Sequence, residues 1–176
     1  FFKHGILDYH LKSNTVDYIV SDVIELINRL NENAKETILV IDDSKVVRFV
    51  IKSLLEIRNY TVVTAQDATE GIAYLKKNDV SLLILDMELP DMHGTKVLDS
   101  LRNLAYINNF PTLVISGSNN PSTVRKALKK GASDFLKKPF IYEEFLLKID
   151  LLIKSSNWQR TLKIQKKQFA SPPLDS

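Results

Sequence analysis

The sequence predicts an α/β protein built on a doubly wound, five-stranded parallel sheet. Three observations carry this. Short apolar or β-branched runs alternate with helical periodicity from Thr37 onward. The segments between them are short and rich in turn residues, as in successive strand–helix units. The run from Val80 to Leu85 is apolar throughout and too brief for a helix, which marks a central strand covered on both faces.

The elements follow in order. Thr37–Ile41 is a strand ending in Asp42 and Asp43, and Val46, Val47, Val50, Ile51, Leu54 and Leu55 then recur at helical spacing. Thr61–Ala65 is β-branched and reads as a strand. Asp67-Ala-Thr-Glu70 has the form of a capping box and opens a helix through about Lys77. After the Val80–Leu85 strand, Gly94 to about Ala105 has helical spacing. Thr112–Ile115 is a fourth strand. Asn120-Pro121 sets a cap before a proline at the first helical position, and Gly131 closes that helix. Ser133–Lys137 is the fifth strand, and a long helix starts at Ile141.

Three parts are expected: residues 1–36, a central domain over 37–155 and a helical linker and tail over 156–176. Gly5-Ile-Leu-Asp-Tyr-His-Leu-Lys12 aligns with Gly131-Ala-Ser-Asp-Phe-Leu-Lys-Lys138, and each leads into a helix. Residues 1–33 therefore read as the last strand and helix of an earlier copy of the central domain, or else as an N-terminal helical extension. Beyond the central domain, Leu151, Ser155, Trp158, Leu162, Gln165 and Phe169 form a weak heptad seam, too short for a coiled coil, before the Ser171–Ser176 tail.

Composition narrows the function. There is no cysteine, which removes disulfide scaffolds, thiol catalysis and Cys-bound metals and fits a reducing cytoplasm. No apolar run reaches the roughly 18 residues that span a bilayer, so no membrane association is expected. Five of the 24 basic residues lie between Lys154 and Leu174, leaving 19 basic and 20 acidic residues over 1–153. The body is near neutral, and nucleic acid is not an expected partner. His4, His10 and His93 are too scattered to hold a metal, and Trp158 and Phe169 read as packing residues.

In an open parallel α/β sheet, ligands bind beyond the carboxyl ends of the strands. This sequence places Asp42 and Asp43 after the first strand, Asp86 after the third, Ser116 after the fourth and Lys138 after the fifth. Clustered carboxylates repel and call for a cation. An all-oxygen donor set suits Mg²⁺ or Mn²⁺ better than Zn²⁺. A carboxylate beside such an ion can attack phosphorus and become an aspartyl phosphate. Taken singly, each residue has a plainer explanation: a helix cap for Asp43 or Ser44, a loop residue for Asp86, a solvated turn for Lys138. Their combination at the ends of strands one, three, four and five is far less readily an accident.

This constellation resembles the receiver domain of two-component response regulators (CheY-like, with a flavodoxin-like fold) over about Thr37 to Ser155. Ile41-Asp42-Asp43-Ser44 resembles the acidic metal-binding pair. Leu85-Asp86-Met87-Glu88-Leu89-Pro90-Asp91-Met92-His93-Gly94 resembles the phosphorylation loop, turned by Pro90 and Gly94. Ser116-Gly117, Phe135 and Lys138-Pro139-Phe140 match the switch hydroxyl, the switch aromatic and the Lys-Pro-Phe signature with its cis peptide.

The resemblance implies Asp86 as phosphoacceptor. It implies Mg²⁺ held by Asp43, Asp86 and the backbone carbonyl of Glu88, with Asp42 acting largely through water. Lys138 and Ser116 would engage phosphoryl oxygens, Gly117 would leave room for them, and Phe135 would turn inward as the switch. A histidine kinase or phosphorelay protein would be the donor, and the domain would catalyse its own phosphorylation and dephosphorylation. Its fourth helix, fifth strand and fifth helix would meet a second receiver or an output domain. Residues 1–36 resemble the end of a preceding receiver, degenerate at Ser13 where the signature has proline, as in the tandem receivers of PleD-type GGDEF response regulators.

Other readings remain beside this one. A receiver-like module could bind partners without phosphorylation. A haloacid-dehalogenase-type phosphatase needs Asp-x-Asp after its first strand, which Asp42-Asp43 does not supply. A dinucleotide binder needs a glycine-rich phosphate loop, and none occurs.

Overall fold

In the computed structural model, residues 2–103, 110–118 and 120–169 are described. For residues 2–15, 103, 163–164 and 166–169 only the backbone is described. The expected end of one helix near Ala105, the seam residue Phe169 as a side chain, and the Ser171–Ser176 tail lie outside these residues.

Eleven elements run in the order α1 (Phe2–Asn33), β1 (Thr37–Ile41), α2 (Lys45–Glu56), β2 (Thr61–Ala65), α3 (Ala68–Leu75), β3 (Leu82–Asp86), α4 (Gly94–Asn103), β4 (Thr112–Ser116), α5 (Pro121–Lys129), β5 (Asp134–Lys137) and α6 (Tyr142–Phe169). The five strands form one sheet in the order β2-β1-β3-β4-β5, all parallel. The expected fold class is the observed one. Strand order reverses direction between β1 and β3, so a crevice opens above their carboxyl ends.

The sheet is covered on both faces. Leu39, Ile41, Leu83, Leu85 and Val114 face α3, α4 and α5, where they meet Leu75, Val97, Leu98, Leu101 and Ala127. Ile38, Val40, Leu82, Ile84, Leu113 and Ile115 face α2 and α6, where they meet Ile51, Leu55, Phe145, Ile149 and Ile153. This alternation explains why β3 and β4 are apolar at nearly every position and buried along their whole length.

Local signals hold with one refinement. Asp67 caps α3 by accepting from the Glu70 backbone N–H at 2.8 Å, but the Glu70 carboxylate reaches Gln66 N–H rather than that of Asp67. Asn120 caps α5, which has Pro121 in its first turn, and Gly131 follows at φ 102°, a left-handed conformation suited to glycine.

The expected strand over Gly5–Lys12 is not formed. The backbone from Phe2 to Asn33 is one continuous helix. A parallel strand needs a neighbour to take its N–H and C=O groups, and the five-stranded sheet offers this segment none. A helix satisfies those groups within itself. The C-terminal end of α1 is fastened to the sheet domain: Asn33 Nδ2 donates to the Arg58 carbonyl at 2.8 Å and Asn59 Nδ2 to the Leu30 carbonyl at 2.9 Å. At the other end of the chain, α6 runs unbroken past Ser155. Asn157 Nδ2 donates to Glu36 at 2.7 Å, and Arg160 lies 3.8 Å from the same carboxylate.

Phe145 is fully buried, whereas Leu147 is exposed on the same helix. Phe145→Ala should lower unfolding free energy by about 3–5 kcal/mol and Leu147→Ala by less than about 0.5 kcal/mol. Urea titration of the two variants checks this face assignment.

Candidate functional site

Three strand ends close in the same way. Past the last ladder bond of a parallel strand the next backbone N–H groups need new acceptors. At β1, Asp42 Oδ1 accepts from Ser44 N–H at 2.9 Å; at β3, Asp86 Oδ1 accepts from Glu88 N–H at 3.2 Å; at β4, Ser116 Oγ accepts from Ser118 N–H at 3.1 Å. Each side chain is thus folded over its own turn, two residues on. In the two aspartates this fixes one carboxylate oxygen and leaves the other facing the crevice.

Lys138 occupies that space. Its Nζ lies 2.7 Å from Asp42 Oδ2 and 2.7 Å from Asp86 Oδ2. Its own backbone N–H donates to the Ser116 carbonyl at 2.8 Å, so β5 is extended one residue and delivers the ammonium at the right depth. The Lys138–Pro139 peptide is cis, as the Lys-Pro-Phe resemblance implies. Asp42, Asp86 and Ser116 are buried, while Asp43 is exposed at the crevice mouth.

Oxygens of Asp42, Asp43 and Asp86 all lie within 4.8 Å of one another. Burial raises the Asp42 pKa above its ordinary value, the neighbouring Asp86 charge adds to this, and Lys138 offsets only part of it. Burial also opposes the Lys138 ammonium, yet its hydrogen bonds to Asp42 and Asp86 and their charges raise its pKa. The donor set is carboxylate alone, partly open to solvent, which fits a hard divalent cation.

The remaining predicted residues fall around this centre. Gly94 packs directly on the acceptor turn: a Cβ there would stand 2.9 Å from the Asp86 carbonyl oxygen and from Met87 Cα, so any side chain would push the β3–α4 loop off its seat. Around Gly117 a Cβ would meet nothing within 4 Å, so packing within the chain does not demand its small size. Pro90 and Glu88 are exposed in the β3–α4 loop. Phe135 is half-buried against the α3–α4–α5 side of the sheet, paired in register with Val114, two residues before Ser116. It shares a sheet face with Ser116 but is not in the crevice.

Two contributors escaped the sequence reading. Arg48 Nη1 donates to the carbonyls of Asp42 (2.6 Å) and Asp43 (2.9 Å), clamping the acidic turn from α2. The signal was its position one helical turn after the Ser44 cap. Asp91 accepts from Ala68 N–H (3.0 Å), Thr69 N–H (2.9 Å) and Thr69 Oγ1 (2.8 Å), tying the β3–α4 loop to the start of α3. Nothing local in the sequence indicates a partner 22 residues away.

With this geometry in view, the comparisons with known proteins agree. Residues 38–150 match the response regulator receiver domain, and the chain belongs to that family. Among individual relatives, it is 34% identical over 119 residues to the cell cycle transcriptional regulator CtrA of Caulobacter vibrioides, covering 68% of this chain and 51% of that one. It is 27% identical over 150 residues to histidine kinase P4 of Formosa agariphila, covering 85% of this chain and 11% of the kinase. The chain therefore spans about half of the one relative and about a tenth of the other. In three dimensions it resembles a CheY-like receiver domain protein from Methanospirillum hungatei (TM-score 0.66, 27% identity, 70% of this chain and 98% of that one). It also resembles the chemotaxis response regulator CheY4 of Vibrio cholerae (TM-score 0.63, 26% identity, 66% and 98%). The chain is a receiver domain of the two-component type, a phosphoacceptor switch by family. No helix among the described residues is long and apolar enough to cross a membrane.

The little desolvation Asp91 meets raises its pKa, but its bonds from Ala68 and Thr69 outweigh this and hold it below 3.8. Its folded-state pKa is depressed, so its stabilising contribution is complete above the ordinary carboxylate value and is lost as pH falls through the lowered one. Asp91→Asn should unfold more readily than wild type at neutral pH, and the difference should shrink below about pH 4. Urea midpoints measured across that range check it.

Proposed function

We propose that Asp86 is the phosphoacceptor. The supporting observation is the Lys138 ammonium held 2.7 Å from both Asp86 and Asp42 at the carboxyl edge of the sheet, beside Asp43. An Asp86 oxygen attacks the phosphorus of a phosphohistidine donor. The O–P bond forms, the P–N bond breaks, and the imidazole leaves with the bonding pair and takes up a proton. Phosphoryl transfer depends on positioning and on countercharge at the equatorial oxygens.

Asp43, Asp86 and the Glu88 carbonyl would hold Mg²⁺ (or Mn²⁺), with Asp42 in the outer sphere; when bound, the ion supplies countercharge to the phosphoryl oxygens. Lys138 then exchanges its contact with the Asp86 carboxylate for one with a phosphoryl oxygen. The Ser116 hydroxyl, which now accepts from Ser118, still has its own hydrogen to donate to another. The open space at Gly117 gives the group room. Phe135, on the same sheet face as Ser116, repacks as Ser116 moves, and the α5–β5–α6 face changes its affinity for a second receiver or an output domain.

The same reading extends to the longer protein. The donor is a histidine kinase or phosphorelay protein of the cytoplasm. Residues 1–36 end a preceding receiver-like unit, and the α6 extension leads to an output domain, for which the tandem-receiver resemblance suggests a GGDEF cyclase.

Incubation with Mg²⁺ and acetyl phosphate should add one base-labile phosphoryl group, read by intact mass. Asp86→Asn should take up none, and Asp43→Ala should require far more Mg²⁺ for the same uptake. Labile phosphate retained in Asp86→Asn would refute the assignment.

A further inference from the structure

We infer that the apolar face of α1 is built to cover one face of a second parallel β-sheet, belonging to a receiver-like unit that precedes β1 in the same polypeptide. The inference rests on the proposed preceding unit, and not on phosphorylation of Asp86. It names the surface by which that unit and this chain are joined.

Ile19, Val23 and Ile27 follow one stripe of α1 and are 55%, 48% and 51% exposed. A shift of 126 positions, which carries Gly5 onto Gly131, carries these three onto Phe145, Ile149 and Ile153 of α6. Those residues are 0%, 0% and 6% exposed and seat α6 on the sheet. The same shift carries Val20 and Leu26 onto Leu146 and Leu152, which flank that seat half-buried. It carries Val16 onto Tyr142, exposed in both helices. At these six positions the helix therefore repeats the pattern by which α6 rests on a sheet, whereas Tyr18 and Ile24 fall on Glu144 and Asp150; among the described residues it has no sheet beneath it.

Charge narrows the occupant. Around the stripe, Asp17, Asp22 and Glu25 face Arg29, while Glu32 is paired with Lys35 at 2.7 Å. An acidic margin repels anionic lipid and nucleic acid. The stripe itself carries no charge, so its complement is an apolar surface such as the face of a parallel sheet. The helical state of Asp8–Leu11, which align with β5, follows from the same lack. Without a neighbouring strand this segment has no ladder to join, and with one it can become the sheet's last strand. The bonds from Asn33 and Asn59 fix the C-terminal end of α1 against the present domain, so the second unit is held at a set position.

The test compares amide hydrogen exchange, read by peptide mass spectrometry, in the 176-residue chain and in the protein as its genome encodes it. Amides of Ile19–Ile27 should exchange on the order of 10-fold more slowly in the encoded protein, independent of concentration. Val23→Asp should return them to the rate of the short chain and leave peptides within 37–153 unaltered. Val23→Ala should give a partial loss if the aspartate variant fails to fold, and Asp22→Asn should change nothing. Equal rates in the two proteins, or an encoded protein with no sheet-forming unit before β1, would overturn the inference. So would protection in the short chain that rises with concentration, which assigns the face to a second copy. Phosphoryl uptake at Asp86, read by mass on the same samples, is a separate outcome. Its failure strikes the phosphoacceptor reading and leaves this one standing.

Discussion

Lys138 holds two carboxylates that the fold has brought together against their own repulsion. Asp42 and Asp86 end adjacent parallel strands, and parallel strands present their carboxyl ends on one side. Two unit charges at such separations repel by roughly 3 kcal/mol at an effective dielectric near 20. An ammonium 2.7 Å from each offsets this, and its pKa is raised accordingly. The arrangement is also poised for exchange. The contacts that quiet the site in its resting form are the ones a phosphoryl group and a divalent cation would take over.

The rest of the structure serves to keep that geometry. Apolar packing on both faces fixes the register of β1, β3, β4 and β5. The repeated turn closure at Asp42, Asp86 and Ser116 then orients each side chain without help from distant parts of the chain. Gly94 lets the β3–α4 loop lie directly on the Asp86 turn, and Asp91 pins that loop to α3. Arg48 does the same for the acidic turn. A loop held at both ends by hydrogen bonds can carry a charged site with little reorganisation when the charge changes.

Much of this was legible in the sequence because it is written locally. Strand starts and ends follow from apolar runs bounded by polar residues, and caps follow from Asp67, Asn120 and Pro121. The site residues stand at strand ends, where the topology alone brings them together. Long-range contacts left no such trace. The reach of Asp91 to Ala68 and Thr69, and of Asn157 and Arg160 to Glu36, depends on how helices and loops settle on the sheet. The segment Gly5–Lys12 shows the opposite limit. Its residues match a strand, but strand formation is a property of a pair of segments, and with no partner the backbone closes on itself as helix.

The central claim is that Lys138 is the cation that makes a buried carboxylate cluster tolerable and that a metal ion can replace it. Urea unfolding of Lys138→Met at about pH 8 tests this directly. Without divalent cations the variant should lose about 3 kcal/mol relative to wild type, as expected when one partner of a buried charge network is removed. Millimolar Mg²⁺ should restore most of the loss. An unchanged midpoint in chelator, or a loss that Mg²⁺ leaves untouched, would contradict the account.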